Sequence, residues 1–215
     1  KNQIKNEFFW ATVGGMGLTG VILKITISLI RIETSFMKVK NFICEDLSSL
    51  MDLMRSKDKE FTYSVAWIDS IHKKARGILT CGEHALKKEV KIQPEDFLVY
   101  DPKSLFSMPN LIPSGILNKV SMQAFNEIWF RKSKAKEKSI EAISQFFYPL
   151  DAVENWNRLY GSEGFYQYQF VVPENHSDFI FETIHLLKES SCYGFLAVLK
   201  RFGNRNNAFL SFPDS

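Results

Sequence analysis

Apolar and polar residues alternate with period two in several stretches of this 215-residue chain and recur at helical spacing in others. Alternation sends successive side chains to opposite faces of a strand, whereas i, i+3, i+4 spacing gathers them on one face of a helix. Leu23, Ile25, Ile27 and Leu29 alternate with Lys24, Thr26 and Ser28, which predicts a strand over residues 21–32. A second strand is expected from about Ser35 to Phe42. Leu47, Leu50, Met51 and Met54 predict a helix over Asp46–Arg55. Phe61, Tyr63, Val65 and Trp67 alternate with Thr62, Ser64 and Ala66 in a strand that ends near Ile68, and Arg76–Cys81 reads as another. Four prolines (Pro94, Pro102, Pro109, Pro113) punctuate a loop-rich region over 85–114. Beyond it the pattern predicts a helix capped by Ser114 and running to about Lys132. Then come a strand Ser139–Phe147, a strand Phe165–Val172, a helix Ser177–Lys188 and a strand Tyr193–Phe202. This β-α-β order near both ends of 35–202 predicts an α+β fold, an antiparallel sheet with helices on one face.

Composition narrows the classes. The chain is 45% hydrophobic with 19 Phe, enough for a substantial core. A net charge of +3, with no zinc-finger, basic-helix or RNA-recognition pattern, argues against nucleic acid as partner. No apolar run approaches the ~18 residues of a membrane span, and no secretion signal is visible. Three widely spaced cysteines, Cys44, Cys81 and Cys192, make no disulfide framework and are compatible with a reducing compartment. Cys81-Gly-Glu-His84 puts two ligand types close together, but no second pair completes a metal site, so no metal is expected. Arg131, Lys132, Lys134, Lys136 and Lys138 form a basic run that reads as a solvated loop, with attraction to a lipid head group or phosphate as the alternative. The chain starts at Lys1, enters an apolar glycine-rich segment within ten residues, and stops at FLSFPDS. These ends suggest a piece of a longer polypeptide.

Two features bear on chemistry. Gly15, Gly17 and Gly20 spell G-x-G-x-x-G, yet the residues that follow alternate like a strand, and Lys40 lies where an acid is wanted. The Rossmann reading therefore fails, and a tight turn or a backbone that a nucleotide approaches closely remains. In GFYQYQFVV, Gln167 and Gln169 share one face and Tyr166, Tyr168 and Phe170 the other. The glutamines form either a solvated face or a polar ligand floor. Leu196, Val198, Lys200 and Phe202 share a face in the last strand. If the two strands pair, Gln167, Gln169, Lys200 and Phe202 line one cavity suited to a sugar or phosphate. Trp67 and Trp156 are candidates to stack on a ring or to fill core.

FFWATVGGMGLTGVIL, YSVAWID, the PLD and WNRLYG of residues 149–161, GFYQYQFVVP, and FLAVLKRFGNRN with FLSFP occur in one order along the chain. Together they resemble the decaprenylphosphoryl-β-D-ribose 2′-oxidases, FAD-linked oxidases of the vanillyl-alcohol-oxidase type. The resemblance implies that residues 1–33 are the tail of an FAD-binding α+β domain and 34–215 a substrate domain, an antiparallel sheet covered by helices and incomplete at its C-terminus. It implies FAD as cofactor, with Gly15, Gly17, Gly20, Ile22 and Gln169 on the cofactor side. Trp67, Leu150, Gln167, Leu196 and Phe202 match the substrate pocket, and Lys200 matches a catalytic lysine beside flavin and substrate. Phe147 stands where the family has a pocket tyrosine, and Val65 where a serine is usual. The family's phosphate-cradling loop would precede Lys1, and its pocket cysteine and a second lysine would follow Ser215. The implied reaction oxidises the 2′-hydroxyl of a polyprenylphosphoryl ribose to a ketone, and an NAD(P)H-dependent reductase partner completes epimerisation to arabinose. Another FAD-linked alcohol, sugar or 2-hydroxy-acid oxidase is the second reading, and a non-catalytic binding module the third. A cytoplasmic place, one at the periphery of the inner membrane and a periplasmic one all stay open.

Overall fold

The structure, a computed structural model, describes residues 3–110, 116–211 and 213. In chain order its elements are α1 (Gln3–Thr12), β1 (Phe36–Cys44), α2 (Leu47–Lys57), β2 (Tyr63–Ile68), β3 (Gly77–His84), β4 (Phe106–Ser107), α3 (Lys119–Ala135), β5 (Lys138–Ala142), α4 (Ile143–Phe147), β6 (Val153–Glu154), α5 (Asp178–Glu189) and β7 (Ala197–Leu199). The chain is α+β. Its contacts divide it into two compact units, one of Lys1–Arg31, Gln169–Phe179 and Arg201–Ser215, the other of Ile32–Tyr168 and Ile180–Lys200. Among the described residues no helix is long and apolar enough to cross a membrane.

The larger unit is built on a five-stranded antiparallel sheet in the order β5-β1-β3-β2-β7. The register puts Phe42 and Cys44 of β1, Leu79 and Cys81 of β3, and Ala66 and Ile68 of β2 on one face. The apolar stripe of α2 (Leu47, Leu50, Met51, Met54) packs there, joined by Ile180 and Ile184 of α5. Asp46 starts α2: its side chain accepts from the Ser49 N–H at 2.8 Å, satisfying a donor the first helical turn leaves unpaired.

The opposite face is covered too, against the expectation of helices on one face only. Asn41 of β1 donates from Nδ2 to the Lys136 carbonyl at the end of α3, at 2.9 Å. Over Gly82 lies the Phe146 ring of α4, and a Cβ on Gly82 would stand 2.4 Å from Phe146 Cζ. The short β2–β3 connection is locked to α3. Asp69, 3% exposed, accepts from Arg76 Nε at 3.2 Å and Asn126 Nδ2 at 2.8 Å, while Arg76 reaches Glu127 at 2.6 Å and stacks on Phe130 at 4.2 Å.

Several expected elements differ. The helix expected from Ser114 begins at Lys119, with Asn118 as its cap accepting from the Val120 and Ser121 N–H groups; Ser114 itself lies outside the described residues. That helix extends past Lys132, so Arg131, Lys132 and Lys134 are helical rather than part of a loop. The expected strand 139–147 ends at Ala142 and turns into α4. Residues 21–32 and 165–172 join no ladder, because alternation makes a strand only where a neighbour supplies the hydrogen bonds. The Tyr193–Phe202 strand shrinks to the three residues that β2 pairs.

In the smaller unit α1 runs into the glycine segment through successive turns: Gly15 N–H donates to Thr12 O, Leu18 N–H to Gly15 O, and Gly20 N–H to Gly17 O. The helix thus precedes the glycines, the reverse of the Rossmann order.

A candidate ligand-binding face of the sheet

Trp67, the penultimate residue of β2, is half-buried between Ile78 of β3 and Val198 of β7. Antiparallel partners point to the same side of a sheet. Tyr63, Val65 and Trp67 therefore share the face of Ile78, Thr80, Gly82 and His84, the face opposite the α2 core. In the β2–β7 ladder Ala66 faces Leu199 and Trp67 faces Val198. Lys200 and Leu196 lie just beyond the three paired residues of β7, and continued alternation would give them the face of Val198. Such a continuation would make a strip of one cation, two aliphatic side chains and an indole. Lys200 is exposed, and no carboxylate pairs with it among the described residues.

Leu150 lies in a 3-10 turn over Pro149–Ala152, directly after α4, and is 38% exposed. The α4 residues Phe146 and Phe147 pack ring-to-edge at 4.9 Å, and Phe147 meets Tyr63 at 5.0 Å and 89°. The phenol oxygen of Tyr63 is 3.3 Å from His84 Nε2. Trp156 is half-buried in an aromatic group with Tyr160 and Phe165 at 6.2 and 5.6 Å. Burial there raises the Tyr160 phenol above its ordinary pKa.

The larger unit thus sets Trp67 beside Val198 of β7 on one sheet face, with Leu196 and Lys200 just beyond the paired residues at either end of β7. It does not bring the glutamine segment into a ladder with the Lys200 strand, as the cavity expectation required. β7 pairs with β2 instead, and Gln167 is exposed. Gln169, Phe202, Gly15, Gly17, Gly20 and Ile22 belong to the smaller unit. Gly15 is buried, and a Cβ there would come within 2.2 Å of the Ala11 carbonyl oxygen, so its close approach is to its own helix. Gly17 and Gly20 take φ of +79° and +126° with no atom near a Cβ, leaving their backbone bare. Ile22 is 59% exposed. Cys81 and His84, three residues apart on β3, point to opposite faces, so they cannot share a metal ion. Cys81 lies in the core, where burial pushes its thiol up to about 12.

Sequence reasoning missed Tyr63 and His84 as members of this face. Alternation back from Trp67 signals Tyr63, but the nearness of His84 follows only from the β2–β3 register.

No family model matches the chain. It is 37% identical over 214 residues to decaprenylphosphoryl-β-D-ribose oxidase of Mycolicibacterium smegmatis, across 97% of this chain and 46% of that protein. Over nearly its whole length the chain is similar to that oxidase. It is also 25% identical over 218 residues to an uncharacterized protein in the mprA 5′ region of Streptomyces coelicolor, across 95% of this chain and 58% of that one. The chain spans about half the length of the curated relatives it matches. The resemblance first carried by a handful of motifs therefore extends along the chain.

Proposed function

We propose that the protein containing this chain is an FAD-dependent oxidoreductase acting on a CH–OH group. Its substrate is a polyprenylphosphoryl ribose, oxidised at the 2′-hydroxyl as half of an epimerisation to arabinose. The supporting observation is the β2–β7 register, which sets Trp67 beside Val198, with Leu196 and Lys200 two residues to either side of Val198, in a chain 37% identical to decaprenylphosphoryl-β-D-ribose oxidase.

In this reading residues 1–33 complete an FAD-binding domain and 34–215 form the substrate domain. The bare, positive-φ backbone at Gly17 and Gly20 fits close approach by a dinucleotide, since a side chain at either would fill that space. Gly15, Ile22 and Gln169 complete the cofactor side. Bound FAD supplies the hydride acceptor. Trp67 offers a flat apolar wall to the sugar, Leu150, Leu196 and Phe202 exclude water, and Gln167 hydrogen-bonds hydroxyls. Lys200 holds the phosphate or orients the reacting hydroxyl by charge-assisted hydrogen bonds. The exposed Lys132, Lys134, Lys136 and Lys138 suit anionic head groups at the membrane surface where a polyprenyl phosphate resides. An NAD(P)H-dependent reductase would take the ketone onward.

The test is anaerobic: the protein is loaded with FAD and mixed with polyprenylphosphoryl ribose while the flavin absorbance is followed. Bleaching is expected. A yellow protein that this substrate leaves oxidised, but another sugar or alcohol bleaches, would move the assignment to the second reading. Phe147 and Val65, apolar where the family carries hydroxyls, are the observation favouring that alternative.

A further inference from the structure

The Tyr63–His84 pair has a polarity that the packing dictates. His84 Nε2 is 3.3 Å from the Tyr63 oxygen, and the rings meet edge-to-face at 5.5 Å and 90°. Among the described residues His84 Nδ1 is buried and has no hydrogen-bond partner. A neutral imidazole carries one proton. Were it on Nδ1, a buried N–H donor would be stranded, an arrangement rarer in folded proteins than an under-satisfied acceptor. With the proton on Nε2, the imidazole donates to the Tyr63 oxygen and leaves Nδ1 as a bare acceptor. The Tyr63 O–H is then turned away from His84, and no acceptor for it exists among the described residues. The ring cannot swing to seek one, since Phe147 meets its edge at 5.0 Å and Phe146 lies at 6.5 Å. That clamp depends on the missing side chain at Gly82, the residue paired with Tyr63.

Position gives this donor a use. Tyr63 stands two residues from Val65 and four from Trp67 on the candidate face, and it touches Phe147. The two places where the resemblance expects a hydroxyl, Val65 and Phe147, are therefore the two that flank Tyr63. We propose that Tyr63 is a specificity-determining residue that donates a hydrogen bond to a hydroxyl of a sugar bound on this face. His84 is the positioning residue that sets its direction. This rests on the assignment of the Trp67 face as the substrate face.

The experiment is steady-state kinetics of the FAD-loaded protein with polyprenylphosphoryl ribose. Tyr63→Phe keeps the ring packing and removes only the donor. It should raise KM by about three- to tenfold, the range for one neutral hydrogen bond, with kcat changed less than about twofold. His84→Leu should raise KM in the same direction, and His84→Gln, which restores an amide donor toward Tyr63, should recover part of the loss. Trp67→Ala separates the two levels of the argument. If it raises KM while Tyr63→Phe leaves KM unchanged, the face is right and the role of Tyr63 is overturned. If neither variant moves KM, the face itself is wrong and the proposal falls with it. A Tyr63→Phe protein that loses kcat and melting temperature together, with KM unmoved, would show a structural role and also overturn it.

Discussion

Replacing Asp69 with alanine removes the hub of a buried polar network. Its carboxylate, 3% exposed, accepts from Arg76 Nε, Asn126 Nδ2 and the His72 N–H at 3.2, 2.8 and 3.1 Å. Breaking a buried ion pair by deleting one partner costs about 3–5 kcal/mol, because the surviving charge stays desolvated. Arg76 is only 9% exposed but keeps Glu127 and the Phe130 ring, which lowers the cost toward the bottom of that range. The stranded Asn126 amide, itself 3% exposed, raises it again. The expected loss is about 3 kcal/mol, or roughly 6–12 °C in Tm for a chain of this size. Glu127→Gln is the comparison: its carboxylate is 40% exposed at the side chain and held below its ordinary pKa by Arg76 and Arg131, so water replaces most of what is lost. Urea unfolding followed by circular dichroism gives both values. The reasoning fails if Asp69→Ala costs no more than Glu127→Gln, which would mean that the Arg76 site is solvated despite its geometry. A double replacement, Asp69→Leu with Arg76→Met, should recover part of the single-variant loss, since no buried charge is left behind.

Other expectations are shorter. Gly82→Ala sets a methyl against Phe146 and should destabilise by about 1–3 kcal/mol in the same urea assay, while Phe146→Ala in that background should relieve part of the cost. Asp46 is held below its ordinary value of 3.8 by hydrogen bonds from Ser49, and Glu89 below 4.5 by Lys38 and the Leu86 N–H. Depressed folded-state values give stability that is complete above the unfolded-state values and fades as pH falls through the folded ones. The urea midpoint should therefore drop on acidification below about pH 4, and less steeply in Asp46→Asn. Burial pushes the Cys44 and Cys81 thiols up to about 11 and 12, whereas Cys192 is exposed. A thiol reagent should thus modify Cys192 alone until the chain is unfolded, as mass spectrometry would record. Lys200→Met should raise KM for a phosphorylated substrate by about tenfold or more and leave a phosphate-free analogue nearly unaffected.

What could be read in the sequence was whatever depends on near neighbours. The α2 stripe and the alternation of β2 gave those elements to within a few residues: the stripe buries against Ala66 and Ile68, while the alternating Tyr63, Val65 and Trp67 take the opposite face. The segments 21–32 and 165–172 have the same alternation without the ladder, because period two states a preference for extended backbone and says nothing about where a partner strand lies. The site divides along the same line. Trp67 and the shared face of Leu196 and Lys200 follow from alternation alone. The pairing of β7 with β2 rather than with the glutamine segment joins residues about 130 positions apart, and no local pattern encodes that choice. The Tyr63–His84 contact needed the register of β2 on β3, which places an imidazole diagonally across Gly82.

β7, which ends just before Lys200, is held to the sheet by three paired residues at its edge, while its neighbour β2 is paired on both sides. Short edge segments open at a lower free energy than the sheet interior. Amide protons of Ala197–Leu199 should accordingly exchange with solvent sooner than those of Leu79 or Ala66. An anion gripped by Lys200 would stitch this edge down. Part of its binding energy would then go into ordering the strand, so a looser hold on the anion and its faster departure would come from the same three rungs.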